Sequence, residues 1–207
     1  MSVRIRLFYE KRGGACFVPH VSLASLFTRA ALRAGLSLAL TQGFSPHPRM
    51  SFGPELPAGV VALAEPVDVW LSQTPEDIPD GLLDRWNAAM PEGFRLLEAR
   101  LIDEDAPSLG RVCQAALYWV RSTAGFPPEK LLAAARTHYG TAVLHAEAEL
   151  DIEENGRAEW LSLVLAAPAQ NSVGGWVRRM IAEGLIAGWQ DLNIVRVSIG
   201  LRNDILG

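Results

Sequence analysis

Between Thr41 and Gly53 the chain reads Thr-Gln-Gly-Phe-Ser-Pro-His-Pro-Arg-Met-Ser-Phe-Gly, which puts an imidazole, a guanidinium and two aromatic rings on one short segment. Pro46 and Pro48 fix their own φ angles and push the residue before each toward extended backbone, so His47 and Arg49 are presented from a stiffened loop. Gln42-Gly43 and Gly53-Pro54 bracket it as turn signals, and glycine there lets backbone approach a ligand closely. The chemistry this suits is binding. His47 and Arg49 can meet phosphate oxygens, while Phe44 and Phe52 can stack on bases as aromatics do beside arginines in single-strand and RNA binders. Gln42, Gly43 and Ser51 complete the candidate set. More commonly such rings are plugs that anchor a loop to a core.

A second group lies on the preceding helix, expected over Val21–Ala34. A step of about 100° per residue puts Leu23, Phe27, Ala30 and Ala34 on one face and Ser22, Ser25, Arg29 and Arg33 on another. The first face is core. The second is either an ordinary solvated stripe or, given its arginines, a contact surface for phosphate. His20 stands in the first turn, where the positive end of the helix dipole disfavours imidazolium, and a neutral ring can act as a general base. It can also simply pack at the edge of the apolar face. His138 and His145 have no catalytic company and read as structural or exposed.

Charge directs attention to the same quarter of the chain. Residues 1–54 hold seven basic groups and one acid, whereas the rest holds twelve basic and twenty-two acidic groups, within an overall charge of −4. Such asymmetry points either to an anionic partner such as nucleic acid or to attraction between the two halves. Arginine outnumbers lysine 17 to 2, which favours bidentate anion contacts. The amino-terminal alternation reads as a strand rather than a secretion signal, and no stretch is apolar enough to span a bilayer, so a cytoplasmic location without a membrane partner is expected. Cys16 and Cys113 are isolated, indicating neither a disulfide framework nor a thiolate metal site. With no iron–sulfur, zinc-protease, nucleophile-elbow or dinucleotide motif, no cofactor is expected, nor a self-contained metal, flavin or radical enzyme.

The elements that must position these groups fall into two passes of the same order. Strands are expected at Val3–Glu10, Leu36–Leu40, Val67–Leu71 and Phe94–Ile102, with helices at Val21–Ala34 and Pro79–Met90. The second pass has strands at Arg111–Ser122, Ala142–Ile152, Glu159–Ala166 and Leu192–Gly200, with helices at Pro128–His138 and Ser172–Glu183. Asn155-Gly156 is a strong hairpin signal. Ser172-Val-Gly-Gly175 is either a small anion nest or a plain helix cap. The expected class is α+β, with two side-by-side ferredoxin-like (βαββαβ) half-domains over residues 1–106 and 107–207.

Tyr9-Glu-Lys, Phe17-Val-Pro-His20, Phe27-Thr-Arg-Ala-Ala-Leu-Arg-Ala-Gly35, Gln42-Gly-Phe-Ser-Pro-His-Pro-Arg49 and Ser51-Phe-Gly together resemble the uncharacterised radical SAM-linked protein family. The resemblance is specific over residues 1–72. It implies an accessory or substrate-binding role beside a radical S-adenosylmethionine (SAM) partner; the basic first quarter adds the expectation that the ligand is RNA or another phosphate-bearing molecule. Where that family usually has an acid two residues after its histidine this chain has Ser22, and where it often has a basic residue this chain has His47. A more distant likeness of architecture, to CRISPR repeat-processing endoribonucleases, implies metal-free RNA cleavage in which His20, His47 and Arg49 supply base, acid and cation. A structural interaction module, its arginines held in internal ion pairs, is the third expectation.

Overall fold

Alternation settles the first strand. β1 (Val3–Lys11) turns Ile5, Leu7 and Tyr9 into the core and sends Arg4, Arg6 and Phe8 to the opposite face. The computed structural model describes residues 2–75, 80–153 and 156–206, in which the chain is an α+β protein. It divides into two compact units, Met1–Gly53 with Ala62–Arg111 and Pro54–Val61 with Val112–Gly207.

In unit 1, β1 is followed by α1 (His20–Arg33), β2 (Met50–Phe52), β3 (Val61–Leu71), α2 (Asp80–Ala89), β4 (Phe94–Ile102) and a short α3 (Leu109–Val112). The strands lie in the order β4-β1-β3-β2, each neighbouring pair antiparallel. Both longer helices pack on one face of this sheet, where Leu23, Phe27, Leu82 and Trp86 close over Ile5, Leu7, Val67, Val69 and Leu96. Phe27 is the hub: Tyr9 and Phe52 meet its ring edge-on at 5.1 and 5.3 Å. α1 stops at Gly35, whose φ of 74° is left-handed. There the Leu36 N–H bonds Ala31 O at 2.9 Å and the Gly35 N–H bonds Leu32 O at 3.1 Å, the paired closure that a glycine after a helix permits.

Unit 2 contains β5 (Ala115–Ser122), α4 (Pro128–Tyr139), β6 (Val143–Glu153), β7 (Gly156–Ala166), α5 (Val173–Ala182), β8 (Leu192–Gly200) and α6 (Arg202–Leu206). Its strand order is β8-β5-β7-β6, again antiparallel throughout. Leu131, Tyr139, Trp176 and Val177 are buried on its helices, and Tyr118, Val120, Leu161 and Leu163 on its strands. Arg196 is buried among them at 1% exposure, donating to Pro54 O at 2.8 Å and lying 3.4 Å from the Tyr118 hydroxyl.

The strand expected at Val67–Leu71 begins six residues earlier, at Val61, and two further expected strands differ. Leu36–Leu40 forms only single bridges, Leu38 to Leu71 and Leu40 to Pro48, because Pro46 and Pro48 cannot donate to a ladder; the second strand is Met50–Phe52 instead. Arg111–Ser122 loses its start to α3, where buried Leu109 anchors a helical turn and the Arg111 N–H bonds Ser108 O at 2.9 Å. Pro79, expected to open α2, and Asn155 of the expected turn lie outside the described residues.

Candidate functional site

The 41–53 loop is pinned at its base and displayed at its tip. The Thr41 N–H bonds His47 O at 2.8 Å, the Arg49 N–H bonds Ala39 O at 2.8 Å, and the Trp70 N–H bonds Arg49 O at 3.1 Å. Thr41 Oγ1 accepts the His47 backbone N–H at 3.2 Å and lies 3.1 Å from its Nδ1, which is also 3.3 Å from Ser45 O. His47 itself is exposed. Beyond this clamp Gly43 adopts a φ of 142° with open space around it, and Phe44 stands fully exposed. Gln42 and Ser45 beside it are exposed as well.

The two phenylalanines therefore part company. Phe52 alternates with Ser51 in β2, so its ring enters the core against Phe27 while Ser51 falls on the far face, opposite Asp68. It is a plug. Phe44 has no such anchor.

Six of the seven basic groups of residues 1–54 have partners within unit 1. Arg4 and Arg6 clamp one carboxylate, Asp68, at 2.6 and 2.7 Å, and Asp68 is wholly buried. Further donors go to backbone oxygens, Arg4 to Ala106 O at 2.7 Å and Arg6 to Pro107 O at 3.0 Å, while the buried Nε of Arg4 has no hydrogen-bond partner among the described residues. Arg49 pairs with Glu104 at 2.8 Å and lies 4.1 Å over the Trp70 ring. Arg12 pairs with Glu10, Arg33 donates to Ala89 O at 2.7 Å, and Lys11 donates to Val18 O at 2.9 Å. Among the described residues, Arg29 is exposed and makes no ion pair or side-chain hydrogen bond. The physical cause is alternation: residues 4 and 6 share one sheet face with Asp68, directly across from Arg6.

His20 opens α1 in line with Leu23 and Phe27, half-buried, its ring 5.9 Å from Phe52. The same sheet face carries Tyr9, Lys11 and Glu65, exposed by 4%, 2% and 4%, and Tyr9 lies directly opposite Glu65. Cys16 joins them, its thiol bonded to Lys11 O at 3.3 Å and pushed above its ordinary pKa by burial, so it stays protonated. Sequence reasoning passed over this polar edge of the core. Its signal was Tyr9 and Lys11 at inward positions of an alternating strand. Only His20 of the group approaches the surface, and Arg49, the cation that RNA cleavage would need beside His20 and His47, is engaged by Glu104 and Trp70.

Other features settle as structure. Ser172 Oγ accepts the Gly174 N–H at 3.3 Å, a plain cap. Gly174 faces Pro57, 3.1 Å from where a Cβ would stand, and Gly175 faces His138, so these glycines serve close packing. His138 is held below its ordinary pKa by burial and then by Arg179, while burial pushes the Tyr139 hydroxyl up. An open hollow of about 490 Å³ in unit 2 is lined by Arg121, Thr123, Gly125, Phe126 and Glu159, none of them a residue singled out above. Among the described residues no three His, Cys, Asp or Glu side chains converge as a metal site, and no helix is long and apolar enough to cross a membrane.

Fold and site together define an α+β protein of two compact units, with a rigid displayed loop on the first. The model of a bacterial family, described as an uncharacterized protein conserved in bacteria (DUF2344), matches residues 4–165, and the chain belongs to that family. No curated protein matches it. Among solved structures, an unknown protein from Galdieria sulphuraria is similar at 13% identity, with 94% of this chain and 96% of that one covered and a TM-score of 0.30. A protein provisionally described as a glycine cleavage system transcriptional repressor is similar at 7% identity, with 94% and 95% covered and a TM-score of 0.25.

Proposed function

We propose that this chain is an accessory binding module, not a stand-alone enzyme, that holds RNA or another phosphate-bearing substrate at the 41–53 loop. The observation that carries this reading is Phe44, fully exposed on a loop whose base is locked by hydrogen bonds. Holding a phenylalanine ring in water is costly, and a rigid loop loses little entropy when a base stacks on it. Gln42, Ser45 and His47, close to Phe44 in sequence, are exposed donors and acceptors, and Arg29 is an exposed cation on α1. To this the sequence resemblance adds a radical SAM protein as the partner that receives the substrate. In this reading each unit is one ferredoxin-like half, with the division near residues 106 and 107.

The test is anisotropy of a labelled oligoribonucleotide with the whole chain. Binding should weaken steeply with salt, and Phe44→Ala should cost about 1–3 kcal/mol, the usual worth of one stacked base. RNA that is not retained, or that binds Phe44→Ala equally, removes the reading. Copurification from the native cell, with sequencing of bound nucleic acid and identification of bound protein, tests the radical SAM link.

A protein-interaction module is the second reading, favoured by the internal ion pairs of Arg4, Arg6 and Arg49. Metal-independent cleavage products that vanish in His20→Ala would displace both.

A further inference from the structure

We propose that unit 2 docks an extended, arginine- or lysine-bearing segment of a protein partner on the sheet face turned away from α4 and α5. Tyr118 and Val120 are buried in the core with Tyr139 of α4, so alternation along β5 puts Trp119 and Arg121 on the opposite face. α6 occupies one end of that face, where Ile205 lies 3.8 Å from a Cβ built on Gly200. The other end is open. There Trp119 is 37% exposed, its ring 6.4 Å from that of Trp160 on the neighbouring strand.

The surroundings of this indole pair decide its ligand. Trp119, Ser162 and Glu147 stand directly across from one another on β5, β7 and β6, and Glu147 is 67% exposed with His145 3.7 Å away. In the sequence, residues 55–207 carry twenty-two acidic groups against twelve basic. Carboxylates in such excess repel a nucleic-acid backbone and attract cations. The faces of indole rings attract cations too, and the molecule already does this: the Arg121 guanidinium lies 4.9 Å over Trp160. β6 is the outermost strand, and among the described residues it pairs only with β7, which leaves an edge for an extended segment to join. The inference concerns unit 2 and does not rest on RNA binding by the loop.

The experiment uses the whole chain and three labelled probes: a peptide of alternating arginine and threonine, its glutamate counterpart, and an oligouridylate. The arginine peptide should bind, shift the indole fluorescence and weaken with salt, while the glutamate peptide should not bind. Trp119→Ala and Glu147→Lys should each weaken binding about fivefold or more while the chain stays folded by circular dichroism, and Trp119→Phe should keep most of the binding. The proposal is overturned if the arginine peptide fails to bind at millimolar concentration, or if it binds both variants as tightly as the parent. Preferential binding of oligouridylate that Trp119→Ala abolishes would make this a nucleic-acid platform instead. Self-association that Trp119→Ala abolishes and the peptide does not compete away would make the occupant a second copy.

Discussion

Each unit places tryptophan and arginine on the sheet face away from its helices, yet one arrangement is sealed and the other is open. In unit 1, Trp70 lies between Arg49 at 4.1 Å and Arg4 at 5.1 Å, its indole N–H donates to Glu104 at 2.7 Å, and it is 7% exposed. In unit 2, Arg121 covers Trp160 from one side and Trp119 keeps 37% of its surface exposed. The difference comes from what terminates the guanidinium donors. Residues 104–107 bring a carboxylate and three carbonyls onto the unit 1 face, and Asp68 stands between the two β1 arginines. Cations so terminated are framework. The lesson is that clustered arginine in a sequence marks an anion site only where the fold leaves their donors unspent.

The sharpest way to break this comparison is Asp68→Ala. Removing a fully buried carboxylate strands two guanidinium groups, Arg4 at 5% and Arg6 at 14% exposure, and should cost about 3–5 kcal/mol in urea denaturation. Glu147→Ala on the open face should stay within about 0.5 kcal/mol. Equal effects would mean that the unit 1 network is not what holds its face together.

Next in size is the tryptophan pair. Trp70→Ala should cost about 3–5 kcal/mol, as a nearly inaccessible aromatic does, and Trp119→Ala distinctly less because water already reaches its ring. A reversal of that order in thermal unfolding would show Trp119 to be structural and would weaken the case for a docking face.

These contrasts also show what the sequence could and could not reveal. Periodicity located Phe94–Ile102 and Leu192–Gly200 to the residue, and the helix of residues 128–138 to within one, because burial on one face writes period 2 or 3.6 directly into the chain. It failed at Leu36–Leu40, where proline chemistry overrode β-like composition. For the candidate site, the stiff loop was legible, since prolines and glycines act locally, but its two phenylalanines were not told apart: the sequence did not show that Phe52 is a plug and Phe44 exposed. The fate of the arginines was not. Arg4 and Asp68 are 64 positions apart, and only the register of β1 against β3 brings them together. A hint existed in Val67-Asp68-Val69, where a lone acid interrupts an apolar strand and so requires a buried partner.

Acid should loosen the seal from its rim. The indole N–H of Trp70, with Arg49 adding to it, holds the Glu104 carboxyl below the ordinary glutamate range. A carboxyl whose folded pKa is depressed contributes fully above its unfolded value, about 4.3, and that contribution is lost as pH falls through the folded value. Glu104 is 56% exposed, so the effect is small in stability and is best read at the Trp70 indole proton by NMR. Its resonance should hold steady at neutral pH and shift only below the ordinary glutamate range, with no titration in Glu104→Gln. A midpoint at or above the ordinary value would separate Glu104 from the seal.

Phe44→Ala should have the smallest effect on stability and tests the comparison at its far end. Phe52 fills the core beside Phe27, so Phe52→Ala should cost about 2–4 kcal/mol, whereas Phe44 touches nothing that folding buries. Its truncation should leave the unfolding midpoint unchanged within about 0.5 kcal/mol, or raise it slightly by removing apolar surface from water. Because the loop is held by Thr41, Ala39 and Trp70 rather than by the ring, the His47 and Arg49 backbone amides should keep their protection in hydrogen exchange. A measurable destabilisation, or loss of that protection, would mean that Phe44 supports the loop. The ring would then be scaffold, like Trp70, and its exposure would no longer argue for a ligand.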